Sequence, residues 1–322
     1  MKKLHLFLSA LALMAFVACG DDENEYSIGD KKSTPNPVVT DPSQANGPDI
    51  AKYSLEFPAL KGGNNIVLVH EATLNDKSGK SGVNFSIEWD TDNNTQHWTC
   101  YKMYDTTLAQ NVKRYDNTHD VDGSLSYDTG QYPNDPLLAT EYQFTSDPYK
   151  GSGYDHGHIC PSQDRVCSTD ANRQTFIMTN MQPQTKQFNG SDRNTPATNS
   201  PWYRLEERVR TWSSQVDTMY VCKGGIVDSN SKTLGSGKNK IPVPSYFFVA
   251  LLSKKGDVYH AIGFWMKHES SYSSRQPLSA YAKSIDDLEK LTGYNFFCNL
   301  ADNVENTVER SYSANDWAGK LE

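Results

Sequence analysis

From residue 51 onward, apolar, β-branched and aromatic positions gather into short runs separated by Gly, Asn, Asp and Pro. Runs of this kind predict strands over Ile66 to His70, Asn84 to Trp89, Trp98 to Met103, Thr175 to Met178, Thr218 to Cys222, Tyr246 to Leu252 and Val258 to Met266. The last two flank Lys254-Lys255-Gly256-Asp257, which predicts a hairpin turn. Trp202, Leu205, Val209, Trp212 and Val216 recur at helical spacing, so Trp202 to Val216 is expected to be a helix with one apolar stripe. Ser200 is placed to cap it, and Pro201 stands at the first helical position, where its missing N–H costs nothing. A second helix is expected from Leu278 to Leu291, closed by Gly293. Many strands and few helices, not strictly alternating, predict an α+β fold. Its sheet is expected to be central, mainly antiparallel and flanked by helices.

The N-terminus follows a different pattern. Lys2-Lys3 precedes an apolar run from Leu4 to Ala18, too short to span a bilayer. Residues 1–18 therefore read as a signal peptide. The run ends in Phe16-Val17-Ala18-Cys19, which resembles a bacterial lipobox, although Phe16 replaces the usual aliphatic residue. That resemblance implies lipidation of Cys19, an exported protein, and attachment to the outer membrane with the domain at the cell surface. A periplasmic or freely secreted protein is the alternative. The acidic stretch Asp21 to Glu25 and four prolines make residues 19–50 a tether that cannot bury a core. Residues 51–322 then form one folded domain. Beyond Cys19, five cysteines remain (Cys100, Cys160, Cys167, Cys222 and Cys298), so at least one thiol is left unpaired.

Formal net charge is −8; without residues 1–18 it is 29 basic against 39 acidic residues, or −10. Such a balance argues against tight storage of nucleic acid and fits brief contact with it.

The densest chemistry lies in Gly153-Tyr154-Asp155-His156-Gly157-His158-Ile159-Cys160-Pro161. Asn180-Met181-Gln182-Pro183-Gln184 and Asn189 follow, then the capped helix with Glu206 and Arg210. Those two residues are four apart and share a helix face. Cutting a phosphodiester requires a base for water, an offset for the growing phosphate charge and a route for the leaving oxygen. A histidine beside a divalent ion supplies the first two. His156, His158, Cys160 and Cys167 also offer ligand types that suit zinc.

Taken in order, these segments resemble the DNA/RNA non-specific endonucleases of the ββα-metal type. Their signature is Asp-Arg-Gly-His, then Asn-Met-x-Pro-Gln with a further Asn, then Trp-x-x-Leu-Glu and a nearby Arg. Asp155, Gly157 and His158 match the first part, Asn180 to Asn189 the second, and Trp202, Leu205, Glu206 and Arg210 the third. Further similarity at Ser284 to Gly293 and Phe296-Phe297 extends it over roughly residues 52 to 305. The resemblance implies hydrolysis of DNA and RNA, with both bound through the phosphate backbone, and 5′-phosphate ends. It implies His158 as general base and Asn189 as the one direct ligand of a divalent ion. That ion is expected to be Mg²⁺, with Mn²⁺ or another as alternatives, because Mg²⁺ favours oxygen ligands and retained water. It further implies that Glu206 holds a metal-bound water, Arg210 contacts phosphate and Asn180 orients neighbouring groups.

The chain departs from the family at two phosphate-clamping positions. His156 replaces the signature Arg and is expected to stand among the catalytic residues in its place, and Asn94 stands where the family places an Arg before its strand Trp, here Trp98. Lys102, Arg114 and Arg165 are candidate replacements. An insertion rich in Asn, Ser, Thr and Pro also lengthens the loop between Asn189 and Trp202. These losses leave a second expectation: a non-catalytic surface lipoprotein that binds nucleic acid or another ligand on the same scaffold. His70, His97, His119, His260 and His268 stand alone in the sequence and receive no role.

Overall fold

A computed structural model of the chain describes residues 54–116, 131–272, 274–317 and 321–322. The expected signal peptide, Cys19 and the tether, as well as His119, lie outside the described residues.

The strands are β1 (Ile66–Asn75), β2 (Lys80–Asp90), β3 (Thr95–Met103), β4 (Asp155–His158), β5 (Met181–Gln184), β6 (Thr218–Ile226), β7 (Thr233–Leu234), β8 (Ile241–Pro242), β9 (Tyr246–Lys255), β10 (Val258–Lys267) and β11 (Ala282–Lys283). The helices are α1 (Asp105–Leu108), α2 (Thr169–Gln174), α3 (Lys186–Asn189), α4 (Pro201–Ser213), α5 (Ile285–Thr292) and α6 (Asp302–Val308). Seven strands pair in the order β1-β2-β3-β6-β9-β10-β11, every pairing antiparallel. The fold is α+β, as the patterning predicts.

Strand β9 shows why the sheet is central. Its run Phe247 to Leu252 is buried without alternation. Phe247, Val249 and Leu251 belong to one apolar cluster, and Phe248, Ala250 and Leu252 to another. Both faces are therefore covered. Trp202, Leu205, Val209 and Trp212 of α4 join the first cluster, and Ile285 and Leu288 of α5 join the second. Between β9 and β10, Lys255 pairs with Val258 across a two-residue turn, with Gly256 at φ +57°. This is the hairpin expected at Lys254 to Asp257.

Three sequence expectations need correction. Thr175 to Met178 is not a strand. Thr175 caps α2, Phe176 N and Ile177 N bond to the carbonyls of Arg173 and Gln174, and Met178 opens a short 3-10 turn. The run is apolar because it is buried, not because it joins a sheet. Leu278 to Leu291 is not one helix. Ala282 and Lys283 pair with Phe264 and Gly263 at the sheet edge, and Ser284 then caps α5 by accepting from Asp287 N at 3.1 Å. Finally, α4 stops at Ser213, short of Val216, where Ser213 and Ser214 hydroxyls bond back to the carbonyls of Val209 and Thr211. Its cap matches expectation: Ser200 Oγ accepts from Tyr203 N at 3.1 Å, ahead of Pro201.

Candidate active site

β4 and β5 form a separate two-stranded antiparallel ladder, with Asp155 opposite Gln184 and His158 opposite Met181. A Cβ on Gly157 would lie 2.2 Å from the Gln184 side chain and 2.7 Å from the Gln182 carbonyl oxygen. Only glycine fits there, so its presence in the motif has a packing cause. Gln182 ties this ladder to the main sheet. Its Nε2 donates to Thr95 Oγ1 and the Gln96 carbonyl, each at 3.1 Å, and its Oε1 accepts from Gly225 N at 2.6 Å.

Asn180 is fully buried and locks the chain just beyond His158. Its Oδ1 accepts from Cys160 N at 2.8 Å, and its Nδ2 donates to the carbonyls of Cys160 at 2.9 Å and Thr175 at 2.7 Å. His158 itself packs edge-on against Phe176, with ring centroids 4.9 Å apart. Its Nε2 is buried and meets no hydrogen-bond partner among the described residues. Burial holds its pKa well below that of free histidine, and the nearby charges of Arg114 and His156 add to the effect; a hydrogen bond with the His156 backbone opposes it. The imidazole is thus neutral at pH 7, with a nitrogen lone pair uncommitted to protein.

Asn189 ends α3, four residues after the capping Thr185, and Gly190 closes the helix in the left-handed conformation. The Asn189 Nδ2 donates to Asp155 Oδ2 at 2.9 Å. Ser191 Oγ bonds to the same carboxylate oxygen. With its amide nitrogen so fixed, Asn189 presents Oδ1, which accepts no hydrogen bond from the described residues. A neutral oxygen ligand held by a carboxylate suits a hard divalent cation. The donor set therefore fits the implied ion.

Glu206 and Arg210 share a face of α4, as expected, and each is already paired. Glu206 Oε1 accepts from Lys223 Nζ at 2.9 Å. Burial raises the pKa of Glu206, and Lys223 is the strongest opposing influence. Arg210 Nη1 donates to Asp164 Oδ1 at 2.9 Å, while Asp164 Oδ2 accepts from Tyr101 OH at 3.0 Å. Tyr101, Asp164, Trp202, Glu206, Val221 and Lys223 line one small cavity beneath the helix.

His156 is not placed like a phosphate clamp. Its ring is stacked between Tyr132, 3.7 Å away and 3° from parallel, and Tyr149, 4.0 Å away. Its Nε2 lies 3.1 Å from Asp147 Oδ1. Asn94 sits at φ +52° in the β2–β3 turn, bonded to the carbonyls of Lys238 and Lys240. Of the three candidate cations, Lys102 pairs at 3.9 Å with Glu56. Arg165 is fully buried and spends its donors on the carbonyls of Asn84, Lys102 and Asp164. Arg114 alone reaches the site: it bonds Ser162 Oγ, lies 4.8 Å above Phe176 and acts electrostatically on His158.

Sequence reasoning missed four residues here. Lys223 is the buried cation of the cavity, 4.1 Å above the Trp202 ring, yet nothing in its strand marks it. Asp164 holds Arg210. Asp155 was matched to the motif without the role that its bond to Asn189 reveals. His268 accepts from Thr185 N at 2.8 Å, and its Nδ1 lies 2.8 Å from the Pro244 carbonyl, so it pins the start of α3 from across the chain. A zinc site is not formed. Among the described residues no His and Cys set converges within ligand distance, and Cys167 packs with Ala72 and Leu74. Burial pushes the Cys160 thiol up to about 12. Cys100, Cys160, Cys167, Cys222 and Cys298 are all free thiols.

This order of strand, strand and helix, β4, β5 and then α3, can be compared with known proteins. Residues 69–303 match the DNA/RNA non-specific endonuclease family. The chain belongs to that family. A nuclease of Nostoc sp. is 31% identical over 230 residues, covering 70% of this chain and 75% of the relative. Human mitochondrial endonuclease G is 23% identical over 177 residues, covering 52% of this chain and 57% of its own. A solved structure of an EndoG/EndoGI complex shares the fold, with a TM-score of 0.57 and 19% identity over 80% of this chain and 94% of that one. As a member of the DNA/RNA non-specific endonucleases, the chain is a hydrolase of a divalent-metal-dependent class that acts on nucleic acid.

Proposed function

We propose that this endonuclease hydrolyses DNA and RNA without regard to sequence, with His158 as general base and Asn189 as direct ligand of a Mg²⁺-type ion. The observation that carries this reading is a pairing of two unmet groups. Among the described residues His158 Nε2 is buried without a partner, and Asn189, held by Asp155 through its Nδ2, has an Oδ1 that accepts no hydrogen bond. The ion, when bound, offsets charge growing on the phosphate and leaving oxygen. His158 takes the proton from the attacking water at Nε2. Its neutral state leaves that atom able to accept. Asn180 fixes the backbone that carries it. Glu206, with Lys223 as its counter-charge, would hold a water beside that ion. Arg114 and Arg210 supply positive charge to the phosphate, in place of the family's Arg at 156. His156 supports the Tyr132 and Tyr149 stack rather than the substrate. The substrate is held through its backbone, because the groups proposed to meet it are charges suited to phosphate rather than to base edges.

We further propose export and lipid anchoring at Cys19, supported by the basic, apolar and lipobox-like order of residues 2–19. Metabolic labelling with a fatty acid that disappears in Cys19→Ala is the expected result. The sequestered His156 favours a second reading, a surface protein that binds nucleic acid without cutting it. The two separate cleanly. Wild-type residues 20–322 should degrade plasmid DNA and RNA with Mg²⁺ and not with chelator, and His158→Ala should degrade neither. Binding without product across metals and pH would overturn the enzyme reading in favour of the binder.

A further inference from the structure

Helix α4 has two charged flanks. Glu206 and Arg210 lie on one. Arg204 and Arg208 precede them by two residues each, about 200° round the helix, on the other. The cations of the first flank are paired: Arg210 with Asp164, and Lys223 with Glu206. Among the described residues no ion pair joins those of the second. Arg204 is only 5% exposed. Its Nη2 donates to the Gln276 carbonyl oxygen, but Nε and Nη1 are buried and meet no hydrogen-bond partner among the described residues. Burial pulls its pKa down, and so do Arg275 and Arg208; only Tyr281 opposes them. Among the described residues no carboxylate features in its electrostatic surroundings.

A buried guanidinium with idle donors, facing two further cations, is unfavourable unless an anion completes it. This is the more telling in a chain whose net charge is −8, where carboxylate partners are plentiful. We infer that Arg204, Arg208 and Arg275 form a cradle for a phosphate-type oxyanion, on the flank of α4 opposite Glu206. Arg204 and Arg208, four apart, project from the same helix face, and Arg275 comes from the segment ahead of Leu278. Guanidinium forks match the geometry of phosphate oxygens and hold them through charge-assisted bonds. Two sources share this chemistry: a backbone phosphate of a bound nucleic-acid strand, and free inorganic phosphate. The first rests on the nuclease reading; the cradle itself does not.

The test uses the full chain with chelator, so that strands are bound and not cut, and compares wild type with Arg208→Gln/Arg275→Gln. Both residues are more exposed than Arg204, so the fold should survive their loss. Inorganic phosphate should raise Tm of wild type above a chloride control of equal ionic strength, and leave the double variant unmoved. A labelled single-stranded oligonucleotide should bind the double variant about tenfold more weakly. Its slope of log affinity against log salt should fall by about 0.7 for one lost phosphate contact. Arg204→Lys, which keeps charge and loses the fork, should weaken both effects. Both losses together assign the cradle to the strand. Loss of the phosphate effect alone assigns it to the free anion. An equal response of wild type and double variant to both probes overturns the cradle. Cleavage with Mg²⁺, assayed alongside, reports separately on the nuclease reading.

Discussion

Asp155 and His156 are neighbours in one four-residue strand, yet the halves of the site they serve have been built differently. Asp155 reaches Asn189 and, with Ser191 on the same carboxylate oxygen, fixes the amide proposed as the metal ligand. That half matches the family signature residue for residue. His156 replaces the signature Arg and has turned into a sandwich of two tyrosines, with Asp147 at its edge. The positive charge that its position lost is, on our proposal, supplied by Arg114 over Phe176 and by Arg210 on α4. A metal ligand must sit at one place with one geometry, so its support cannot drift. Charge that offsets a phosphate acts over several ångströms, so it can be supplied from another strand or loop.

The comparison breaks most sharply at Asn189. Asn189→Ala should lower cleavage by more than about 100-fold and abolish the heat of Mg²⁺ binding in calorimetry, and Asp155→Ala should weaken the metal by about 10- to 100-fold. Equal metal affinity in Asn189→Ala would sink the ligand assignment. Next comes Lys223→Met. It leaves the half-buried Glu206 without its nearest counter-charge, and should cost about 2 kcal/mol in denaturant unfolding. A loss below about 1 kcal/mol would show that the pair is solvated and idle. The buried histidines set a pH dependence of similar size. His97 is lowered to about 4, chiefly by burial, and His158 and His268 are lowered by burial too. The unfolded chain takes up these protons near pH 6.5 while the folded chain refuses them, so stability is full above that pH and falls as pH drops below it. His97 alone should remove about 3 kcal/mol by pH 4, and a flat profile from pH 7 to 4 would contradict the burial of these rings. The smallest effect belongs to the rebuilt half. His156→Ala should cost about 0.5–1.5 kcal/mol per lost ring contact and lower cleavage far less than Asn189→Ala does. A comparable loss would mean that His156 touches substrate after all.

Much of this was legible in the sequence because it is local. The cap of α4, its apolar stripe and the β9–β10 hairpin each depend on residues within a few positions of one another. The site's order along the chain was legible for the same reason. What escaped was set by distant partners. Thr175 to Met178 has the composition of a strand, but its N–H groups are taken by the turn that ends α2. Ala282 and Lys283 interrupt an apparent helix because the edge of β10 offers them a ladder. Lys223 sits opposite Thr99 and Val249, and only the fold brings it to Glu206 from 17 residues away. His268 lies 83 residues from Thr185, which it pins.

The role of His158 is tested most directly by chemical rescue. His158→Ala should bind a labelled oligonucleotide as wild type does, yet cut plasmid DNA about 10²- to 10⁴-fold more slowly. If His158 is the base, added imidazole should restore part of the rate, in proportion to its neutral fraction as pH is varied. A variant that cuts at the wild-type rate, or one that stays folded and metal-bound yet gains nothing from imidazole at any pH, would contradict that role.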